Sequence, residues 1–168
     1  MRYTPAAAAL ALLAAVTSSV THSASPTALD PRAAQLVAEG EAALSANRID
    51  AAIDAFEAAL VIEPGASAVL IGLGRAARAN GMQGKALHYY RRALVSDPRS
   101  LAALAGEGEA LAEKGAVQKA ERSLARLKGM CGAQCPETRI VAEALARIPA
   151  QRVVRAEAVV PEPVVSDN

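Results

Sequence analysis

Two cysteines are the residues of this 168-residue chain that could do covalent chemistry. Three residues separate Cys131 from Cys135, in a segment that also holds Gly132 and Pro136. In an exported chain such a pair is usually a disulfide, and closing so short a loop would stabilise the fold by only about 2 kcal/mol. Its main effect would be geometric, since it would fix how the following helix leaves the loop. A redox-active pair is the alternative, although the spacing is not C-x-x-C.

Metal, cofactor and catalytic sites lack the residues that they need. A tetrahedral metal site takes about four ligands, and after the leader described below only His88 could join the two thiols. Gly72-x-Gly74 falls inside a helical pattern with no strand before it, so it is not a dinucleotide fingerprint. Neither a Ser-His-Asp set nor a phosphate loop can be identified. The sequence therefore predicts no enzyme activity, no cofactor and no metal.

A column of charged residues offers chemistry of a different kind, which is recognition. Glu41, Arg75 and Glu109 recur at a constant spacing, and Arg78 and Glu113 lie close by. These side chains could pair with each other on a solvated face, where each ion pair contributes under about 1 kcal/mol. Alternatively, the two arginines could hold a carboxylate or a backbone carbonyl of a peptide. Both interpretations stay open at this point.

The same spacing, about 34 residues, runs through the apolar sequence and predicts a helical repeat. It relates three glycines, three leucines and three alanines: Gly40, Gly74, Gly108, Leu36, Leu70, Leu104, Ala52, Ala86 and Ala120. Apolar residues three and four apart predict α-helices, which are broken by Pro64 and Pro98 and end near residue 128. We therefore expect an all-α chain with three helix pairs, over 31–64, 65–98 and 99–130, and a capping helix over 136–148.

The glycine column needs a structural reason, because glycine inside a helix costs about 1 kcal/mol relative to alanine. Close approach is the simplest reason: Gly40, Gly74 and Gly108 would let the second helix of each pair lie against the first, with the three alanines opposite. Bulky residues would then fill the remaining space. They form another column at the same spacing, Phe56, Tyr90 and Leu124.

In these spacings the chain resembles the tetratricopeptide repeat family, whose unit is a helix-turn-helix of about 34 residues. The glycine and alanine columns, the aromatics Phe56 and Tyr90 and the closing prolines Pro64 and Pro98 carry the resemblance over residues 31 to about 128. The third repeat departs from it, with Leu124 in place of the aromatic and no proline. The resemblance implies a right-handed superhelical stack of repeats, closed at its C-terminal end by the capping helix.

In that family the first helix of each repeat lines a concave groove that receives a peptide. Carried over to this sequence, the groove residues are Ala34, Val37, Glu41, Leu44, Ala68, Ile71, Arg75, Arg78, Ala105, Glu109 and Ala112. The Lys/Asn carboxylate clamp of some chaperone-binding members is not matched, because its positions hold Val37, Glu41, Gly72, Ala102 and Gly106. The resemblance thus implies peptide binding, but not through that clamp.

The two ends of the chain are predicted to lie outside the repeats. Residues 1–24 are typical of a secretory signal peptide, with Arg2 followed by an apolar run over 6–16. This run is shorter than the roughly 20 residues that a membrane span needs. Residues 25–30 are a short linker. Residues 149–168 are a tail rich in Val and Pro, either unstructured or docked on a partner as an added strand.

Composition and organisation together favour a binding protein. Without the leader the formal charge is near zero, and the full 168-residue sequence has one Phe, three Tyr and no Trp, which argues against nucleic acid as a partner. We expect an exported protein, periplasmic or secreted, that acts as an adaptor for a peptide segment of an envelope protein. We expect no membrane span in the mature form. The alternatives are a structural module that forms homo-oligomers and a thiol redox protein.

Overall fold

Seven α-helices make up the regular structure of residues 29–148, the part of the chain that the computed structural model describes. They are α1 Pro31–Ser45, α2 Ile49–Ile62, α3 Ser67–Ala79, α4 Gln83–Ser96, α5 Leu101–Glu113, α6 Val117–Cys131 and α7 Pro136–Ala146. Within residues 29–148 there is no strand, so the prediction of an all-α chain is confirmed. The expected signal peptide over 1–24, the linker up to residue 28 and the tail over 149–168 lie outside the described residues.

The turn inside each helix pair is set by one residue with a left-handed backbone. These residues are Asn47, Gly81 and Gly115, with φ of 56°, 70° and 77°. After each of them, the next backbone N–H donates a hydrogen bond of 2.8 Å to a carbonyl of the first helix. A Cβ makes this conformation costly, which accounts for glycine at two of the three positions. Because the turn is the same in each pair, the repeats keep the same internal geometry.

The helices stack in chain order, each packing against the one before it. The second helix of a pair contacts both its own first helix and the first helix of the next pair. The first helices α1, α3 and α5 also contact one another in turn, so they form one face of the stack. The last helix, α7, packs against both α5 and α6. This arrangement confirms the predicted helical repeat stack.

Each aromatic ring of the packing column lies between two glycines, one from its own repeat and one from the next. The Phe56 ring lies between Gly40 and Gly72, and a Cβ on Gly40 would approach that ring to 2.7 Å. One repeat later the same arrangement is formed by Tyr90, Gly74 and Gly106. The close approach expected at the glycine column is therefore between a helix backbone and an aromatic ring, and burial of the ring offsets the cost of glycine in the helix.

The third repeat has no aromatic, and the capping helix supplies the missing bulk. A Cβ on Gly108 would lie 2.8 Å from Val141 of α7, while Leu124 is only half-buried at the edge of the same cluster. Leu36 in the first repeat is also half-buried. The other residues expected in the repeat packing are buried: Gly40, Ala52, Phe56, Leu70, Gly74, Ala86, Tyr90, Leu104, Gly108 and Ala120.

Two helix ends differ from those expected. The sixth helix continues past residue 128 to Cys131, because the first residue that breaks it is Gly132, with φ of 90°. The capping helix ends at Ala146 instead of 148. The residue before a proline is disfavoured in the helical conformation, and Ile148 precedes Pro149.

Candidate binding groove

The residues predicted to line a groove form a set on the first helices α1, α3 and α5. Its apolar residues on α1 and α3 include Val37, Leu44 and Ile71, which are half-buried and pack against the core beneath them. Ala34 and Ala68, near the starts of the same helices, are exposed. The first two repeats therefore present a surface of small and aliphatic side chains.

Ala105 and Ala112 do not line this surface, so their assignment to the groove was wrong. Only 4% of Ala105 and 2% of Ala112 is exposed. Ala105 shares a buried cluster with Val141, and Ala112 shares one with Ala144, both from the capping helix. Because α7 covers this side of α5, the apolar part of the groove is confined to the first two repeats.

Two arginines of α3 connect the neighbouring first helices through ion pairs. Arg75 Nη1 lies 2.6 Å from both carboxylate oxygens of Glu41 on α1. Arg78 Nη1 lies 2.7 Å from Glu109 Oε1 and 2.9 Å from Glu113 Oε1, both on α5. Glu109 thus pairs with Arg78, one turn along the helix from the arginine of its own column. All five charged residues singled out from the sequence meet in this site.

The two arginines differ in how firmly they are held. The side chain of Arg75 is 47% exposed and has one carboxylate partner, which is typical of a surface pair contributing under about 1 kcal/mol. The side chain of Arg78 is 25% exposed and has two partners. Burial opposes the charge of Arg78, but the carboxylates of Glu109 and Glu113 outweigh it, so the pKa of Arg78 is raised. Arg75 is therefore the arginine more easily freed for a ligand.

Two further residues belong to this charged cluster and were not singled out for it from the sequence. Gln83 Nε2, at the start of α4, donates a hydrogen bond of 2.9 Å to Glu113 Oε2. The Tyr90 side chain, 1% exposed, has its hydroxyl close to the Arg78 guanidinium but makes no well-aligned hydrogen bond among the described residues. Burial raises the pKa of Tyr90 to about 12, although the nearby Arg78 guanidinium lowers it in part. The sequence signals were weak, because both residues lie on a second helix.

This arrangement can bind a ligand by exchange of ionic partners. The guanidinium groups of Arg75 and Arg78 already hold carboxylates of the chain itself. A peptide carboxylate or carbonyl would therefore have to take the place of Glu41 on Arg75, the more exposed of the two. The aliphatic residues of α1 and α3 would receive apolar side chains on the same face.

The cysteines lie at the junction of α6 and the capping helix. Cys131 is the last residue of α6, Cys135 precedes α7, and the structure joins their sulfurs with the Cα atoms 5.7 Å apart. From the first turn of α7, the buried Thr138 hydroxyl donates a hydrogen bond of 2.9 Å to the Gly132 carbonyl in the loop. Both links hold the start of α7 against the end of α6. Formation of the disulfide in the protein stays a prediction.

Reduction of the Cys131–Cys135 bond is expected to lower the free energy of unfolding by about 2 kcal/mol, since the closed loop is short. Urea unfolding with and without reductant measures this change. The double variant Cys131→Ser/Cys135→Ser is the control: it should match the reduced wild type and should not respond to reductant. Free thiols in the oxidised wild type, detected by alkylation, would show that the prediction is wrong.

Comparisons with known proteins agree with this geometry. A scan against protein-family models and a search of curated proteins both find no match. Among solved structures, the chain is similar to the TPR domain of Sgt2 from Aspergillus fumigatus, with a TM-score of 0.64, 25% identity and coverage of 84% of this chain and 93% of that one. The chain is also similar to the Yersinia enterocolitica chaperone SycD, solved with a peptide of the translocator YopD. Here the TM-score is 0.60 and the identity 25%, with coverage of 67% of this chain and 88% of that one.

The fold is shared more widely than these two cases. The first TPR of Spaghetti (RPAP3), solved with the HSP90 peptide SRMEEVD, has a TM-score of 0.61 at 18% identity, over 68% of this chain and 94% of that one. A stack of equally spaced helix pairs, each turned at the same position and packed by the same columns, defines a class of repeat protein. The chain has the fold of a tetratricopeptide repeat protein.

No helix within residues 29–148 combines the length and the apolar character needed to cross a membrane.

Proposed function

We propose that this protein is a non-enzymatic adaptor that binds a peptide segment of another protein in the groove of its first two repeats. The observation that carries the proposal is the exposed Arg75–Glu41 pair beside the aliphatic residues Val37 and Ile71. A site of this composition can hold a polar group of a peptide and its neighbouring apolar side chains together. The SycD complex with a YopD peptide, at 25% identity, supports peptide binding by a protein of this fold.

The bound segment is expected to lie along α1 and α3. Its apolar side chains would pack on Val37, Leu44 and Ile71, while a carboxylate or carbonyl would exchange with Glu41 on Arg75. The capping helix covers α5, so the segment would be short. The Lys/Asn clamp for a C-terminal carboxylate is not matched in this sequence, and the HSP90-type peptide is not the expected ligand.

The cellular setting is proposed from the leader sequence. Residues 1–24 have the pattern of a secretory signal peptide, which would place the mature chain in the periplasm or outside the cell. The partner would then be a protein of the cell envelope. Fractionation of cells, with detection of the mature N-terminus by mass spectrometry, tests this setting separately from the groove.

The groove is tested by crosslinking in the intact envelope, followed by mass spectrometry of the captured proteins. Arg75→Glu repels Glu41 and removes the exchangeable guanidinium, so capture of a specific partner should fall about ten-fold or more. Arg139→Glu is the matched control, because Arg139 on α7 has a side chain that is 66% exposed and only a loose pair with Glu143. The proposal fails if Arg75→Glu and Arg139→Glu capture the same partners in the same amounts.

A further inference from the structure

A cavity lies between α4, α5 and α6, among side chains that do not belong to the groove set. Its volume is about 290 Å³, close to the smallest pockets that hold small molecules. Four cations and one carboxylate line it, over a floor of two leucines and a serine. The residues that matter are Arg91, Glu107, Lys119, Arg122, Ser123 and Arg126. We refer to this site as the basic cavity.

The repeat register provides an internal comparison for the basic cavity. Ser123 stands one full repeat after Tyr89, so the two occupy equivalent places at successive repeat interfaces. Tyr89 is partly buried and packs its ring against three core clusters. Its ring lies 5.9 Å from Lys85 Nζ, which in turn is 4.0 Å from Glu57. We call the interface that contains Tyr89 the earlier interface and the one that contains Ser123 the later interface. The earlier interface is filled by the Tyr89 ring, whereas the later one has only the small Ser123 side chain, and this difference leaves room for the cavity.

The charge also changes between the two interfaces. Arg91 takes the place of Glu57, and Arg122 takes the place of His88. The later interface also has a carboxylate, Glu107, whose Oε1 lies 2.9 Å from Arg91 Nε. Glu107 offsets the charge of Arg91 but not the charges of the other three cations. The basic cavity therefore carries an excess of three positive charges, whereas the equivalent place one repeat earlier carries an excess of one.

The cations of the basic cavity are available to a ligand. Among residues 29–148, no carboxylate lies within 4.0 Å of the charged group of Lys119 or Arg122. Arg126 donates from Nη2 to the Pro98 carbonyl, which holds its guanidinium at the rim while leaving further N–H donors free. The buried Ser123 hydroxyl adds a polar group to the floor.

We propose that the basic cavity binds a phosphate group, either of a small soluble phosphate compound or of a lipid headgroup. The multiply charged phosphate matches a cavity lined by guanidinium groups, which can donate to it in pairs, and an ammonium. The cavity is too small for a nucleic-acid segment and has no aromatic lining on which bases could stack. This site is independent of the peptide groove, so its proposal does not depend on the proposed function.

Isothermal titration of the mature chain with pyrophosphate, and co-sedimentation with phosphatidylcholine vesicles containing phosphatidic acid, test the two sources of phosphate. Arg122→His replaces an exposed arginine by histidine, the residue found at the equivalent position, His88, of the earlier interface. This substitution should weaken binding about ten-fold or more. Ser123→Tyr fills the cavity without changing its charge, and it should abolish binding. Lys85→Glu, at the position equivalent to Lys119, is the control and should leave binding unchanged.

The outcomes separate the cavity from a general attraction of anions to basic helices. Binding of pyrophosphate alone that is lost in Ser123→Tyr assigns a soluble ligand, and binding of vesicles alone that is lost in the same variant assigns a lipid headgroup. Equal binding by the wild type, Ser123→Tyr and Arg122→His overturns the proposal, because the cavity is then not needed. Absence of binding in both arms overturns it as well. Circular dichroism of each variant checks that the helices are retained.

Discussion

Substituting Gly74 by alanine is expected to destabilise the protein by about 1–3 kcal/mol, although alanine is the better helix former. The added Cβ would lie 2.6 Å from the Tyr90 ring, well inside van der Waals contact. The ring cannot move aside, because it is 1% exposed and has Gly106 against its other side. Backbone of α3 and α4 would have to separate instead, and this would loosen the core of the second repeat.

Gly129→Ala is the matched control for this substitution. Gly129 is also helical, but a Cβ built there meets no heavy atom within 4 Å. The control should therefore stabilise the protein by up to about 1 kcal/mol through helix propensity alone. Urea unfolding of both variants measures the difference. If Gly74→Ala is as stable as Gly129→Ala, the ring does not require the glycine.

A second variant tests whether the ring is the cause. In the background Tyr90→Leu, the cost of Gly74→Ala should become smaller, because leucine can adapt its shape to the added methyl group. The coupling free energy between the two positions is expected to reach about 0.5–3 kcal/mol, the range for residues in direct contact. A coupling near zero would mean that Gly74 is needed for another reason.

The sequence predicted the repeat stack well because its register is local information. Breaks at Pro64 and Pro98 and the helical periodicity between them depend on residues that are close in the chain, so spacing alone reveals them. The second glycine of each ring contact was not predicted. Gly72 and Gly106 meet rings from the preceding repeat, and only the superposition of repeats shows this. These two glycines are themselves one full repeat apart, and that spacing was the signal that could have revealed the contact.

The charged site was only partly predictable for a related reason. Residues one repeat apart occupy equivalent positions, but an ion pair forms between whichever side chains are close enough to contact each other. Arg78 extends to Glu109, three positions earlier in the register, so the column of Glu41, Arg75 and Glu109 is divided between two arginines. Burial of Ala105 and Ala112 could not be derived either, because it depends on where a helix outside the repeat pattern packs.

The Tyr90 hydroxyl is expected to make stability depend on pH in the alkaline range. Its pKa is raised to about 12 by burial, against about 10 in the unfolded chain. The folded state therefore favours the neutral form. The contribution of Tyr90 to the free energy of unfolding is therefore fully present below pH of about 10 and is lost as the pH rises through about 12. The total loss is about 3 kcal/mol. The loss is physically the cost of placing a phenolate in a buried site, partly relieved by the Arg78 guanidinium.

Tyr90→Phe isolates this effect, because it removes the titrating group and keeps the ring between Gly74 and Gly106. At neutral pH the variant should be about as stable as the wild type, since the hydroxyl faces the Arg78 guanidinium without a well-aligned hydrogen bond within the described residues. Urea unfolding at a series of pH values from neutral to strongly alkaline should show the wild type losing stability relative to the variant by about 3 kcal/mol. Tyr89→Phe, with a ring that is only partly buried, controls for general alkaline effects. Parallel curves for the wild type and Tyr90→Phe would mean that the hydroxyl has access to water in the folded protein.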